Sequence, residues 1–488
     1  MTQNTITNDF EKYCEDITKK YQMPGLALGL AKDGKLFYEE GFGYRNVEKE
    51  LPVTSDTVFG IGSVTKSFTC VAILQLQELG KLFVHDPVIN FLPEFKTPNE
   101  EYTKQMTLHH FMTHSAGLPP LPTLFGALRK SIENDPKFDE DVKAEEKTDA
   151  LDAKGDPEVP ELPYIETYSE LLENLAQAKY TLLGAPGTQF SYSNESYALL
   201  GIVIERVSGV PYEEYILENI LKPAGMHNSV FHLEELSGHE DIATLYNLRK
   251  KEDETIVFES DNPWDAPPMR AAGFLKSTVN DMLKYAEIYR NQGNVGGIQI
   301  LSPESVELMT TPYMQGEYKK YYGYGLMITP DFFGYKLVDH GGSIKGVAAQ
   351  MNIIPELGLT GVSLTNLSGV PSTTILHNLF SNYLGHPIDA CHLGIMEIDL
   401  SEEELKEYEG TFASGEGAKY EFHIEDGQLL LDAAGFEQTA LKPFGDDWFL
   451  LHLNDMKFTL RFVRDSDKKI NRLAFGFRQT PKVEEGSS

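Results

Sequence analysis

Strand-like segments lie at both ends of the first part of the chain, up to about residue 390, and enclose a long helical block. Near the N-terminus, the runs GLALGLAKDG and KLFYEEGFGYRN are separated by Asp33-Gly34, a strong β-hairpin signal. From Met106 to about Lys222, apolar residues recur at the i, i+3, i+4 spacing of amphipathic helices. Strand-like runs, beginning with AAGFLKS, return after Trp264. This order predicts an α+β unit whose antiparallel sheet is built from both ends of the sequence.

The sequence predicts two domains. The first covers residues 1–395 and contains a helical subdomain at about 96–240. Within it, an acidic, proline-punctuated insertion at about 131–173 is interpreted either as a surface loop or as a lid over a cleft. Residues 400–488 contain short alternating runs separated by turn signals, which predicts a small all-β domain, a barrel or a sandwich.

Charge and cysteine content exclude several classes of function. A formal charge of −32 makes nucleic acid and anionic membrane surfaces poor partners, because Lys and Arg supply most of the affinity for phosphates. The cysteines are Cys14, Cys70 and Cys391, and they show neither a disulfide framework nor zinc-ligand spacing. There is no secretory signal pattern and no apolar run of about 18 residues. We therefore expect a cytoplasmic protein without a membrane partner.

The stretch FGIGSVTKSFTCVAILQL combines a hydroxyl, an amine and an apolar helix. Ser63 and Lys66 are three residues apart, so a helix beginning here places both side chains on one face. Ser63 is then either a nucleophile with Lys66 as its base, or an N-cap followed by a surface lysine. The spacing alone decides little, because Ser466 and Lys469 repeat it in a polar turn without an apolar helix behind them.

The stretch GTQFSYSNESYALLG offers a second titratable group close to a predicted helix start. Tyr192 can share or relay a proton with a neighbouring lysine, and Asn194 can hydrogen-bond a substrate amide. The same spacing recurs at Tyr289 and Asn291, at the end of a predicted surface helix, where a structural role is expected.

A third segment, LVDHGGSIKGVAAQM, joins two predicted strands. The glycines after His340 allow a substrate backbone to approach, and a backbone N–H near Ser343 could donate to an oxyanion. A core histidine beside a tight turn is the alternative interpretation. His110 and His114 have the i, i+4 spacing of zinc ligands but lack the acidic partner of H-E-x-x-H, so neither a metal nor a cofactor is predicted.

Together, these three segments resemble the serine β-lactamase and penicillin-recognising superfamily, which has S-x-x-K, Y-x-N and K-T-G or H-x-G in that order. Here the order is Ser63 to Lys66, Tyr192 to Asn194, and His340 to Gly342. The segments between the motifs, including MTLHHFMTHSAGLP and LKPAGMHNS, look like the class C-like branch over about residues 10–390. The fold this implies is a β-lactamase-like antiparallel sheet flanked by helices with a helical insertion, plus a lipocalin-like C-terminal barrel.

The resemblance also implies a role for each motif residue. Ser63 would be acylated, Lys66 would be the general base, and Tyr192 would relay protons to the leaving group. The remaining residues would bind substrate: Asn194 would orient it, His340 and Gly342 would occupy the third motif, and Ser343 with Ser63 would provide the oxyanion hole. A histidine in place of the usual lysine, mostly neutral near pH 7, disfavours efficient β-lactamase activity.

The function predicted is a serine hydrolase that acts through an acyl-enzyme on short peptides or amides containing D-amino acids, because H-x-G members of the branch include D-aminopeptidases, D-stereospecific peptidases and esterases. A carboxylesterase is one alternative. A non-catalytic binding or assembly protein on this fold is another, motivated by the acidic insertion and the extra β domain. The implied partner is a small peptide, amide or ester, and a homo-oligomer is left open.

Overall fold

The structure of the protein is a computed structural model that describes residues 8–137, 162–251, 254–453 and 456–483. The centre of the predicted acidic insertion, residues 138–161, lies outside the described residues. The α-helices are α1 Asn8–Lys20, α2 Thr65–Glu78, α3 Glu100–Gln105, α4 Leu108–Met112, α5 Thr123–Glu133, α6 Tyr168–Gln177, α7 Asn194–Ser208, α8 Tyr212–Ile216, α9 Arg270–Gly273, α10 Val279–Arg290, α11 Pro303–Met309, α12 Ser372–Tyr383 and α13 Glu402–Leu405. Within the described residues, no helix is both long and apolar enough to span a membrane.

Two sets of strands follow each other along the chain. The first set is β1 Gly25–Lys32, β2 Lys35–Asn46, β3 Leu51–Pro52, β4 Phe59–Gly60, β5 Tyr246–Lys251, β6 Glu254–Glu259, β7 Lys276–Ser277, β8 Asn294–Val295, β9 Ile298–Gln299, β10 Met314–Glu317, β11 Lys320–Tyr322, β12 Met327–Phe332, β13 Tyr335–Ile344, β14 Val347–Ile354 and β15 Leu359–Thr365. The second set is β16 Gly410–Ala413, β17 Lys419–Glu425, β18 Gln428–Asp432, β19 Thr439–Gly445, β20 Trp448–Leu453, β21 Met456–Arg464, β22 Ile470–Phe475 and β23 Arg478–Pro481.

The main sheet is nine-stranded, with the order β10-β11-β12-β13-β14-β15-β1-β2-β3. Its two halves meet where β1 pairs antiparallel with β15, in the register Leu26 to Thr365. The predicted hairpin between β1 and β2 is present, with positive φ at Asp33 and Gly34 as the turn requires. The prediction of a sheet built from both ends of an α+β unit is therefore confirmed.

Helix α2 is the central buried element of this unit. Eleven of its residues, from Thr65 to Leu76, have little or no exposed surface. It packs against α7, whose face is also buried, and against the short α9. A helix that is buried on all of its faces over three turns lies inside a core. The residues at its N-terminus are thereby fixed between the sheet and the helical block.

The segment AAGFLKS differs from its strand prediction. Residues Arg270–Gly273 form a helical turn, and only Lys276–Ser277 are extended. The cause lies just upstream, where Pro267 and Pro268 begin a 3-10 turn that leads into the helix. Proline has a φ suited to the first turn of a helix, and this local preference outweighs the strand-like composition that follows.

The C-terminal strands β16 to β23 form an eight-stranded antiparallel sheet in chain order. The sheet curls into a nearly closed barrel, because Phe412 forms a bridge to Lys482 and the amide of Val483 donates to the carbonyl of Thr411 at 2.8 Å. The barrel prediction is confirmed. The exact domain and subdomain boundaries given above stay predictions.

The barrel core should be sensitive to a single aromatic truncation. Phe462 is 1 % exposed and contacts four rings, those of Tyr408, Phe412, Phe422 and Phe449. We expect Phe462→Ala to lower the free energy of unfolding by about 3–5 kcal/mol, because it leaves a cavity. The control Met396→Ala removes a side chain that is 82 % exposed and should change it by less than about 0.5 kcal/mol. Equal losses of unfolding free energy for the two variants, measured by urea titration, would contradict this prediction.

Candidate active site

Ser63 lies in a single 3-10 turn, Gly62–Val64, between the end of β4 and the start of α2. The N-cap of α2 is Val64, and no side chain caps this helix. Ser63 therefore precedes the helix, and its interpretation as the N-cap is wrong. The turn itself is set by Gly62, which has a φ of 48° and whose Cβ position would lie 2.6 Å from the amide nitrogen of Ser343.

Lys66 is completely buried beside Ser63. Its Nζ lies 3.1 Å from Ser63 Oγ, 2.9 Å from Asn194 Oδ1 and 2.6 Å from the carbonyl oxygen of Ala272. Burial holds the pKa of Lys66 well below its usual value, and the positive charge of Arg478 acts in the same direction. A neutral amine can donate its two hydrogens to Asn194 and Ala272, so its lone pair points to the Ser63 hydroxyl.

Tyr192 completes a compact group around the hydroxyl. Its ring centroid lies 4.7 Å from Lys66 Nζ, and Tyr192 lines the same cavity as Ser63. Burial raises the pKa of Tyr192 above its usual value, while Ser63 and Arg478 lower it. The phenol consequently keeps its proton at neutral pH and can donate it to a leaving group.

His114 holds the Y-x-N segment in place. Its Nδ1 accepts a hydrogen bond from the Ser193 amide at 3.0 Å, and its ring lies 4.1 Å from that of Tyr192, centroid to centroid. Burial lowers the pKa of His114, so the ring is neutral and can accept. Sequence reasoning weighed His114 only as a zinc ligand. His110 Nδ1 instead accepts from the Thr107 amide, and the described residues contain no group of three metal-ligating side chains.

His340 lies on β13 and is 1 % exposed. Its Nε2 is 2.9 Å from the hydroxyl of Tyr322, and its Nδ1 is 2.6 Å from the carbonyl oxygen of Gly341. Since a carbonyl only accepts, Nδ1 carries the proton and Nε2 accepts from the tyrosine. Burial lowers the pKa of His340 to about 4. The third motif therefore brings no positive charge of its own at neutral pH.

Five of the seven predicted site residues line one cavity of about 610 Å³: Ser63, Tyr192, His340, Gly342 and Ser343. The other two, Lys66 and Asn194, lie beneath it and reach Ser63 through the contacts above. The structure thus brings all seven together from three distant segments of the sequence.

The beta-lactamase family model matches residues 10–379. The chain belongs to the beta-lactamase family. A mouse relative, the mitochondrial serine beta-lactamase-like protein LACTB, is 28 % identical over 394 residues, covering 68 % of this chain and 70 % of that protein. An octameric penicillin-binding protein homologue from Pyrococcus abyssi has a TM-score of 0.67 and 31 % identity, with 97 % of this chain and 99 % of that one covered. A D-stereospecific amidohydrolase from Streptomyces shares the fold at a TM-score of 0.56 and 22 % identity, covering 76 % and 97 %.

One wall of the cavity comes from the C-terminal barrel. Phe458 from β21, Phe477 from the turn between β22 and β23, and Arg478 at the start of β23 line it together with Tyr192. Sequence reasoning missed these residues. No spacing pattern could have indicated them, because they belong to a different sheet and reach the site only through packing of the two units.

Gly342 should be the most sensitive position of the third motif. A Cβ there would lie 2.0 Å from the carbonyl oxygen of Ile61 and 3.1 Å from the amide nitrogen of Ser63, both backbone atoms. Gly342→Ala must therefore move the Ser63 turn, and we expect labelling of Ser63 by a fluorophosphonate to slow by about 100-fold.

The neighbouring variant Gly341→Ala is the matched control. Its new Cβ would lie 3.0 Å from Gln350 Oε1, 3.5 Å from Thr373 Oγ1 and 3.8 Å from the carbonyl oxygen of Ala349, so the tight contact is with a side chain and no backbone atom lies closer than 3.8 Å. We expect its labelling rate to stay within about threefold of the parent, since the atom that must shift by a few tenths of an ångström does not belong to the Ser63 turn. Equal rates for the two variants would show that the close approach at Gly342 is unimportant.

Proposed function

We propose that the protein is a serine hydrolase that forms an acyl-enzyme on Ser63. The observation that supports it most directly is the 3.1 Å contact between Lys66 Nζ and Ser63 Oγ, in a setting where both other hydrogen-bonding directions of the amine are occupied. A serine hydroxyl is a weak nucleophile until a base removes its proton. A buried neutral lysine at hydrogen-bond distance is such a base.

Acylation would proceed by three proton transfers. Lys66 takes the hydroxyl proton as Ser63 Oγ bonds to the substrate carbonyl carbon, and the amides of Ser63 and Ser343 stabilise the oxyanion. The intermediate then collapses, the bond to the leaving amine or alkoxide breaks, and Tyr192 gives that group its proton. Lys66 returns its proton to Tyr192. In deacylation water replaces the leaving group, and the same residues act in reverse order.

The substrates we favour are short peptides or amides containing D-amino acids. Two observations support this choice. The neutral His340 offers no cation at the third motif for the carboxylate of a β-lactam, which disfavours β-lactams as substrates. The Streptomyces protein of the same fold is a D-stereospecific amidohydrolase. Esters remain the second substrate class, because an ester forms the same acyl-enzyme and has an easier leaving group.

Two further proposals concern context. The Pyrococcus relative is octameric, which supports a homo-oligomer for this chain as well. A cytoplasmic location stays a prediction. The mouse relative is named a mitochondrial protein.

Covalent labelling tests the nucleophile. A fluorophosphonate should label Ser63, as mapped by peptide mass spectrometry, and Ser63→Ala should abolish the label. The matched control is Ser466→Ala, which alters the second S-x-x-K of the chain and should leave labelling unchanged. Lys66→Ala and Tyr192→Phe should slow hydrolysis of a p-nitrophenyl ester by about 100-fold or more. Unaffected hydrolysis in both would favour the binding or assembly alternative.

Matched substrates test the specificity. We expect D-aminoacyl p-nitroanilides to be hydrolysed with a kcat/KM at least about tenfold above their L-isomers, since one well-placed contact is worth that much. The Ser63→Ala variant sets the background rate. A preference for L-isomers would refute the D-specific proposal while leaving the serine hydrolase intact. Turnover of esters alone would identify the protein as a carboxylesterase.

A further inference from the structure

The last hairpin of the C-terminal barrel is bonded directly to the Tyr192 segment. The Tyr192 amide donates to the carbonyl of Phe477 at 2.8 Å, and the Gln479 amide donates to Ser191 Oγ at 3.3 Å. The Gln479 side chain adds a bond from Nε2 to the carbonyl of Phe190 at 3.0 Å. Residues 190–192 are therefore held between the helical block and the barrel.

Arg478 projects from this hairpin into the catalytic group. Its guanidinium carbon lies 4.8 Å from the Tyr192 ring centroid, a cation–π distance comparable to the 4.7 Å from Lys66 Nζ. Its Nε donates to Glu416 Oε2 at 2.9 Å, and Nη2 lies 3.4 Å from Oε1. Because Glu416 belongs to the same barrel, the barrel itself fixes where this cation lies.

A permanent cation beside a base has a defined electrostatic effect. An arginine stays protonated in proteins, so its charge opposes a second positive charge on the Lys66 amine and favours the neutral form that can accept a proton. It also stabilises negative charge developing on the Tyr192 oxygen during proton transfer. A barrel lacking this charge would leave the same three motifs in place, but Lys66 would stay protonated, and unable to accept a proton, up to a higher pH.

Other charges face the same group and limit the effect. Glu195, directly after Asn194, opposes Arg478 by favouring the ammonium form of Lys66, and Glu416 neutralises part of the guanidinium. Burial and the charge of Glu416 raise the pKa of Glu195 to about 7, which reduces its opposition near neutral pH. The remaining titratable groups that face Lys66 or Tyr192 are neutral at pH 7: Cys70, His114, Tyr197, Tyr322 and His340.

We infer that Arg478 is a positioning residue of the active site, supplied by the C-terminal barrel, which holds the Tyr192 ring and provides the fixed charge that keeps Lys66 available as a base. The inference rests on the proposed function, since it assigns a role in the proton transfers of the acyl-enzyme reaction. It assigns the barrel a part in catalysis itself.

The test is the pH dependence of Ser63 labelling by a fluorophosphonate, which needs no knowledge of the substrate. The labelling rate rises with pH as Lys66 loses its proton. Without the Arg478 charge, Lys66 keeps its proton to a higher pH. We therefore expect Arg478→Gln to move the acid limb upward by about one unit, a tenfold loss of rate on the acid side, and to lower the plateau rate at high pH as well, because the contact with the Tyr192 ring is lost.

Two further variants separate charge from fold. Arg478→Lys keeps the charge but loses the planar fork, so its acid limb should match the parent while its plateau falls. If Arg478→Gln does not fold, Arg478→Lys decides alone, and a shifted limb in it would overturn the inference. The control is Arg472→Gln, which removes a barrel arginine whose Nη1 donates to the Leu183 carbonyl across the same interface. The acid limb of the labelling profile of Arg472→Gln should coincide with that of the parent.

The results also distinguish failure of the inference from failure of the proposed function. Two results would overturn the role of Arg478 while Ser63 is still labelled. One is a labelling rate of Arg478→Gln that is lower than that of the parent by the same factor at every pH. The other is an acid limb that shifts equally in Arg478→Gln and Arg472→Gln. Absence of label from Ser63 in the parent protein would overturn the proposed function itself.

Discussion

Burial of the Lys66 amine imposes a condition on every element around it. A lysine with no exposed surface stays charged only at a large desolvation cost, so burial favours its neutral form, and its N–H groups must find acceptors. The acceptors are Asn194 Oδ1, at the start of α7, and the carbonyl oxygen of Ala272, in α9. Two chain segments far from Ser63 must therefore converge on one nitrogen. The packing of α7 and α9 against α2 satisfies this condition.

The sheet meets the same group from the other side. Gly342 on β13 packs against the carbonyl of Ile61 so closely that no side chain fits, and Gly62 faces the Ser343 amide in the same way. These two glycines allow the backbone of β13 to contact the backbone of the turn that precedes α2. Ser63, the proposed nucleophile, is consequently held by main-chain contacts, which leave its side chain free to react.

Sequence reasoning found the parts of this arrangement that local patterns encode. The spacing of Ser63 and Lys66 predicts one face of a helix, and Asp33-Gly34 predicts the hairpin that brings β1 to β15. It placed Ser63 as a candidate N-cap because a hydroxyl before an apolar helix usually caps it, whereas the 3-10 turn shifts the helix start to Thr65. The hydrogen bond that the His114 side chain accepts from the Ser193 amide could not be predicted, because the two residues are distant in the sequence.

The barrel shows where such reasoning ends in physical terms. Its strands are predictable, because apolar and polar residues alternate along each of them. Which turn of the barrel faces the neighbouring unit is not predictable in this way, because it depends on packing across the interface. Arg478 belongs to no sequence motif. Its ion-pair partner Glu416 lies far away in the sequence, in the loop between β16 and β17 of the same barrel. The ion pair that holds this charge lies entirely within the barrel. A change in the barrel at this position would thus alter the electrostatic field at Lys66 and Tyr192 while the three β-lactamase motifs stay the same.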